Sequence, residues 1–395
     1  MNKKKGLLGV ILFSATLTIM AGSIIAPIQN LIRVDLSVPP AWVGMIITTH
    51  GLFMACFSPL MGSLIDRRGV KRIYVLVLIC YGVAGGSGLL IQSFWVLLIS
   101  RALLGIALAG IFTSINVLIL NLFEREQRDK VMGCRGSAQS VGGIIWPLAG
   151  GALGGLSWHF PFAIYMIAIP IGITAMFAVP KAASKPQVDM KSDASVSVFM
   201  LIRTVTVLPV ILALTFSGSV LLYVIVIYLP QLLEKFGISS SFTIALFIAA
   251  ITTSGGIISF FYGQIRKRLS YQSLVQIGIL LWITSFAGLS LAPNPVMTAI
   301  SAAFFGFSQG IIMPTVMAWI GDIVPVTFRG RISSYLGTSG FIGQFLSPII
   351  FAPVLIRGGL KGVFVTATIF AILWFLFILF FRQTGCQDCI SSNEG

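Results

Sequence analysis

The sequence predicts an all-α polytopic membrane protein, with twelve transmembrane helices in two six-helix pseudo-symmetric bundles. Three observations carry that prediction. Of 395 residues, 57% are apolar and only 9% are charged, whereas soluble domains carry about 25% charged residues. The apolar residues fall into runs long enough to cross a bilayer, which takes roughly 20 residues per helix. Landmarks of the first half also recur 201 positions later: Gly62 with Gly263, Gly105 with Gly306, Arg128 with Arg329, and Pro147 with Pro348. Four landmarks at one offset point to a duplication. Parallel six-span halves place a substrate site between them, near the bilayer midplane.

The spans follow in order. The run from Gly6 to Ile32 comes after Lys3, Lys4 and Lys5. It exceeds the roughly 7–15 apolar residues of a signal-peptide core, so it reads as span 1, at 7–32. Span 2 is expected at 41–64. Between Ile73 and Phe123 the only charge is Arg101, and Gln92-Ser93-Phe94 marks the turn; spans 3 and 4 are therefore 73–92 and 96–121. Spans 5 and 6 are expected at 131–156 and 160–180, which closes a first bundle at 1–180. Residues 181–198 are rich in Lys, Ser, Ala and Asp and read as a flexible cytoplasmic linker. A second bundle at 199–382 holds spans at 200–229, 240–264, 271–291, 295–319, 332–355 and 361–381. Residues 383–395 form a tail.

The net charge of +15 does not indicate nucleic acid, because of where it falls. Arg101 is placed in a span, and Arg33, Lys235, Arg357 and Lys361 in one set of alternating loops. The other 21 of the 26 Lys and Arg are assigned to the termini and the second set of loops. That is the positive-inside bias. It predicts a plasma-membrane protein with both termini cytoplasmic and with anionic lipid headgroups as partners. Of five Cys, Cys56, Cys80 and Cys134 lie in or near spans, and Cys386 and Cys389 form a lone C-x-x-C. With no second pair or His cluster, no metal site is expected. No Ser-His-Asp, metal or phosphate-loop constellation points to an enzyme, and no cofactor is expected.

The 2–3 loop reads Gly62-Ser-Leu-Ile-Asp66-Arg67-Arg68-Gly69-Val-Lys71-Arg72. Gly62 suits close helix approach, and Asp66 at a helix end suits bonds from a neighbouring helix N-terminus. This loop resembles the G-x-x-x-D-R-x-G-x-[RK]-[RK] signature of the major facilitator superfamily. The resemblance implies a conformational latch made of Gly62, Asp66, Arg67, Gly69, Lys71 and Arg72. The second copy, Gly263-Gln-Ile-Arg266-Lys267-Arg268, replaces the Asp with Lys267 and is expected to lack the latch. Arg101, with Gly105 and Ala107, is similar to the superfamily's span-four motif, in which the Arg is tied to proton coupling. Gly142-Gly143-Ile-Ile-Trp146-Pro147-Leu-Ala-Gly150-Gly151 resembles the G-x-x-x-G-P-x-x-G-G signature of drug:proton antiporters. Trp146 stands where that pattern has its second Gly. Gly142, Pro147, Gly150 and Gly151 are expected to make a kinked, tightly packed helix.

All eleven acidic residues fall outside the predicted span interiors. His50, about halfway along span 2, is then the titratable candidate for carrying a proton, since an imidazole ordinarily titrates near pH 6.5. Asp35 is the runner-up. In the family pattern the cavity is lined by spans 1, 4, 7 and 10, which offers Asn30, Phe112, Asn116, Tyr223 and Gln309, with Gln29, Phe216, Phe307 and Trp319 beside them. With no acidic group to select a cation, a neutral or anionic solute is open. The resemblance implies a secondary transporter, a monomer, that exports small amphiphilic compounds by alternating access in exchange for protons. The alternative is an uptake permease or facilitator of a small organic solute. A transport-inactive sensor would need a folded soluble domain, and neither tail has the length for one.

Overall fold

A computed structural model describes residues 2–123, 125–180, 205–324 and 326–381. The predicted linker at 181–198 and tail at 383–395, with Cys386 and Cys389, lie outside the described residues, and so do residues 200–204 of predicted span 7. The described residues are almost entirely helical. Lipid supplies no partners for backbone N–H and C=O groups, so a helix that satisfies its own is the economical way across.

Among the described residues, ten segments are long and apolar enough to span a bilayer. Spans 1 to 4 are Gly6–Asp35, Met45–Arg68, Val70–Leu89 and Phe94–Leu122. Span 6 is Phe160–Ala178, and spans 7 to 10 are Val207–Lys235, Ser241–Arg266, Tyr271–Leu291 and Pro295–Ile323. The helix Arg125–Gly154, 30 residues long but polar at its start, is span 5. The last helix, Val326–Phe380, is broken at Gly359, whose φ of 62° lies in the left-handed region. Glycine enters that region at little cost. The break separates span 11 from span 12.

Prolines interrupt two spans. In span 1 the α-helix stops at Ser23, and a short 3-10 turn through Pro27 leads to a second helix, Gln29–Asp35. Span 6 steps at Met166–Ile167, just before Pro170. A proline ring has no N–H for the carbonyl four residues back. Gly69, at φ 84°, turns span 2 into span 3. Ser240, Ser270 and Asn294 cap spans 8, 9 and 10 by accepting from backbone N–H groups, the bonds expected at these otherwise orphaned ends.

Several boundaries move. Arg33, Asp35, Glu234 and Lys235, expected in loops, lie on the last turns of helices. Arg135, inside predicted span 5, is 7% exposed and lies ten residues into the observed helix, about 15 Å along it.

Two faces can be defined. The basic face carries the start of span 1 and the 2–3, 4–5, 8–9 and 10–11 connections. The sparse face carries the 1–2, 3–4, 5–6, 7–8, 9–10 and 11–12 connections. Within the first half, span 4 packs on spans 2 and 3, and span 1 on span 5. Tyr74, Tyr81 and Tyr165 stitch spans 3 and 6 to span 1 through bonds to Ser14 Oγ, Leu17 O and Ala21 O, each at 2.7–2.8 Å. In the second half, span 10 packs on spans 8 and 9. The halves meet through spans 5 and 8, and through spans 2 and 11.

The repeat holds down to single bonds. Arg128 Nε donates to Phe123 O at 2.9 Å, and its Nη2 to Leu120 O. Arg329 Nε donates to Val324 O at 2.9 Å, and its Nη2 to Gly321 O. The arginine and both of its acceptors shift by 201. At Gly105 a Cβ would collide with His50 O, and at Gly306 with Ile251 O, again at the same offset.

Candidate functional site

The candidate site is the seam between the halves, which can be followed from the sparse face inward. At the sparse end, Arg33 Nη2 bridges both carboxylate oxygens of Glu234, at 3.0 and 3.1 Å. Gln29 Nε2 donates to Val226 O and Ile227 O at 3.1 and 2.8 Å, and Asn30 Nδ2 to Pro230 O at 3.0 Å. Gln231 Nε2 answers from the second half, reaching Pro40 O at 3.5 Å. Gly44 lets span 2 lie against Ile227 and Pro348. Gln29 and Asn30 are therefore seam residues at the end of span 1. Beside them a cavity of about 490 Å³ opens at the sparse face, lined among others by Asn30, Asp35, Trp158 and Glu234. Asp35 accepts from Trp158 Nε1 at 2.9 Å, so it belongs to this rim.

Deeper, His50 Nε2 stands 3.1 Å from Gln344 Nε2, across the span 2–span 11 seam. His50 is 4% exposed and Gln344 4%, and His50 Nδ1 finds no partner. The glycines make room: a Cβ at Gly51 would press on the Gln344 amide, and one at Gly22 on the imidazole. The sequence singled out His50 but missed Gln344. The repeat offered a signal, because Gln344 is the counterpart of Gly143, whose Cβ site in turn meets Thr252, the counterpart of Gly51.

Arg101 does not face the seam. It is fully buried inside the first half. Its Nη2 donates to Gly85 O at 3.2 Å and to Ser100 Oγ at 3.1 Å. Its guanidinium lies 5.0 Å from the ring centres of both Phe162 and Tyr165, within the reach of a cation–π attraction. Nε and Nη1 have no partner among the described residues. The charge is thus held away from the outer surface of the bundle.

Below His50, Phe112 of span 4 meets Phe341 of span 11 edge-on at 6.4 Å. Arg135 covers the other side of Phe112 at 4.8 Å and bonds Asn116 Oδ1 through Nη1. Phe112, Asn116, Phe216, Tyr223 and Gln309 are all partly exposed. Gln309 turns back to Gly218 O within its own half. Trp319 is buried and stacked on Tyr271 at 5.5 Å, at the basic end. Phe307 leans on Phe304.

Span 5 carries the glycine framework expected of it. Gly150 seats Ile24, Gly151 seats Ser241 and Ala245 of span 8, and Gly142 seats Thr16. Trp146 fits by donating to Thr16 O at 3.2 Å and meeting Phe13 edge-on. At the basic face, Asp66, Arg67 and Arg68 are exposed, and Asp66 makes no hydrogen bond or ion pair among the described residues. Gly62 has open space where a Cβ would stand, so the close approach expected there is not made in this conformation. The second half holds a different arrangement. Arg266 sits 3.7 Å over the Tyr271 ring, and Tyr271 donates to Asp322 Oδ2 at 2.5 Å.

This architecture is matched by sequence. The Major Facilitator Superfamily family model matches residues 11–295 and 261–387. The chain belongs to the Major Facilitator Superfamily. It is 24% identical over 339 residues to the multidrug resistance protein MdtG of Klebsiella pneumoniae (strain 342), covering 82% of this chain and 79% of that protein. Among solved major facilitator folds, the nucleoside transporter NupG superposes with a TM-score of 0.79 at 14% identity, covering 97% and 100% of the two chains. A D-xylose–proton symporter gives 0.76 at 15% identity, covering 97% and 98%. The superfamily assignment makes the chain a multi-pass membrane transporter.

Proposed function

We propose that this transporter exports small amphiphilic compounds by alternating access, in exchange for protons. The basic face is read as cytoplasmic, from the charge bias. The observation that carries the reading is the His50–Gln344 contact. It puts a titratable side chain on the boundary between the two halves, where a change of protonation acts on their relative position.

The chemistry follows from donor counts. With Gln344 Nε2 donating, His50 Nε2 accepts, which requires a neutral imidazole protonated at Nδ1. A protonated imidazole donates at both nitrogens. It cannot accept from the Gln344 amide, so the amide must turn to present Oε1 or the seam must part. Arg101 holds the first half rigid behind this point. Export is supported by the glycine-lined span 5 and by the name borne by the MdtG relatives. Asp66 and its basic neighbours would close the cytoplasmic side when the halves rock. In the present conformation the seam is tied at the sparse face and Asp66 is free.

The test is accumulation of substrate in inside-out vesicles energised by an acid interior. Accumulation that collapses with a protonophore supports the reading. Movement only in the opposite direction contradicts it.

A further inference from the structure

We propose that Arg135 is the binding group for the charge of an organic anion, with Phe112 and Phe341 as the aromatic wall for its apolar body. This inference rests on the export reading and names its substrate class.

Three observations converge. Arg135 is buried ten residues into span 5, and among the described residues no acidic side chain pairs with it. Its Nη1 is held by the neutral Asn116, its face lies on Phe112, and Nε has no partner. Asp66 and Asp322 lie at the basic ends of their helices, and Asp35 and Glu234 at the sparse ends. A buried guanidinium keeps its charge, so the position is costly until an anion arrives.

The fold does not require a cation here. The repeat places Leu336 at the equivalent position of span 11, and it is 2% exposed. Arg128 and Arg329 show what a structural arginine looks like in this chain. They occur in both halves with the same backbone carbonyls as partners. Arg135 has no such twin.

The aromatic contact ties this charge to the transport cycle. Phe112 covers the guanidinium on one side and leans on Phe341 of the other half on the other. When the halves part, the Phe112 ring loses that support and the guanidinium can be uncovered. A planar fork of donors suits a carboxylate, sulfonate or phosphonate, which can take two parallel bonds.

Three probes with one ring system and different charge test this: 2-naphthalenesulfonate, 2-naphthol and trimethyl(2-naphthyl)ammonium. Each is titrated against the purified full chain in lipid nanodiscs, with equilibrium dialysis as the readout. The sulfonate is expected to bind most tightly. Arg135→Gln should weaken it about ten- to a hundred-fold, the loss of one charge-assisted bond, and leave naphthol unchanged. Arg135→Lys should keep the preference for the anion. Equal or tighter binding of the ammonium, binding of none of the three, or an unchanged sulfonate affinity in Arg135→Gln overturns the proposal. The wild-type order of affinities decides even where Arg135→Gln does not fold. Proton-driven outward movement of the ammonium in preference to the sulfonate would overturn this inference and leave export standing. Absence of outward movement for every probe would overturn export itself.

Discussion

Arg33 and Glu234 lie 201 residues apart, the offset of the internal repeat, and they meet each other at 3.0 Å. The two halves thus present opposite charges at the same position, and the duplication brings that position together on its pseudo-two-fold axis. Gln231 is likewise the repeat partner of Asn30, and both bond across the same seam. A sequence that had stayed symmetric would place two like charges here. The divergence turns repulsion into a clasp at the sparse face.

Breaking the clasp should shift the resting population and leave the fold intact. The pair is partly exposed, at 21% and 39%, so about 1 kcal/mol is the upper expectation for such a bridge, or roughly a five-fold change in populations. Glu234→Gln should raise sparse-face accessibility, read as labelling of a cysteine introduced at Ser239. The double swap Arg33→Glu/Glu234→Arg should restore the original labelling. Equal labelling in all three proteins would remove the clasp from the cycle.

Asp66→Asn should slow turnover several-fold and leave ligand affinity unchanged. In the conformation closed at the sparse face, Asp66 is solvent-exposed, so its bonds must form elsewhere in the cycle and bias the populations of states. Comparing dialysis affinities with transport rates separates the two effects. Lost binding with normal cycling contradicts a latch.

Gly105→Ala and Gly306→Ala should each destabilise the protein, by about 1–3 kcal/mol for an overpacked contact. Both would drive a methyl group into a carbonyl of the crossing helix, His50 O or Ile251 O. Melting temperatures of the two variants should fall together. A fall in only one would break the correspondence between the halves.

Arg101→Ala should abolish transport and lower the melting temperature, because it empties a site packed by Phe162 and Tyr165 inside the first half. Arg101→Lys keeps the charge but loses the planar fork, and the two cations are not interchangeable at stacked sites. It should recover stability more than transport. Full transport in both variants would exclude Arg101 from the mechanism.

The helices and the duplication were legible because they are imposed locally. Apolar runs must be helical in lipid, and Gly105 and Gly306 must lack a Cβ wherever two helices cross in contact. The seam was not legible. Arg33 and Glu234 looked like loop residues, because a charge at a helix end and a charge in a loop are identical in one dimension. Gln344 carried no composition signal, and its importance comes from lying opposite His50 on a chain segment 294 residues away.

The most direct measurement follows substrate accumulation in inside-out vesicles as the pH gradient is varied, with and without a protonophore, for wild type and His50→Gln. Glutamine keeps hydrogen-bonding capacity but holds no titrating proton near neutrality. Wild-type accumulation should collapse with the protonophore and scale with the imposed pH gradient. His50→Gln should bind substrate, move it down its gradient only, and ignore the protonophore. A His50→Gln protein that still accumulates substrate with full protonophore sensitivity would contradict the account, and the proton would have to cross at another residue.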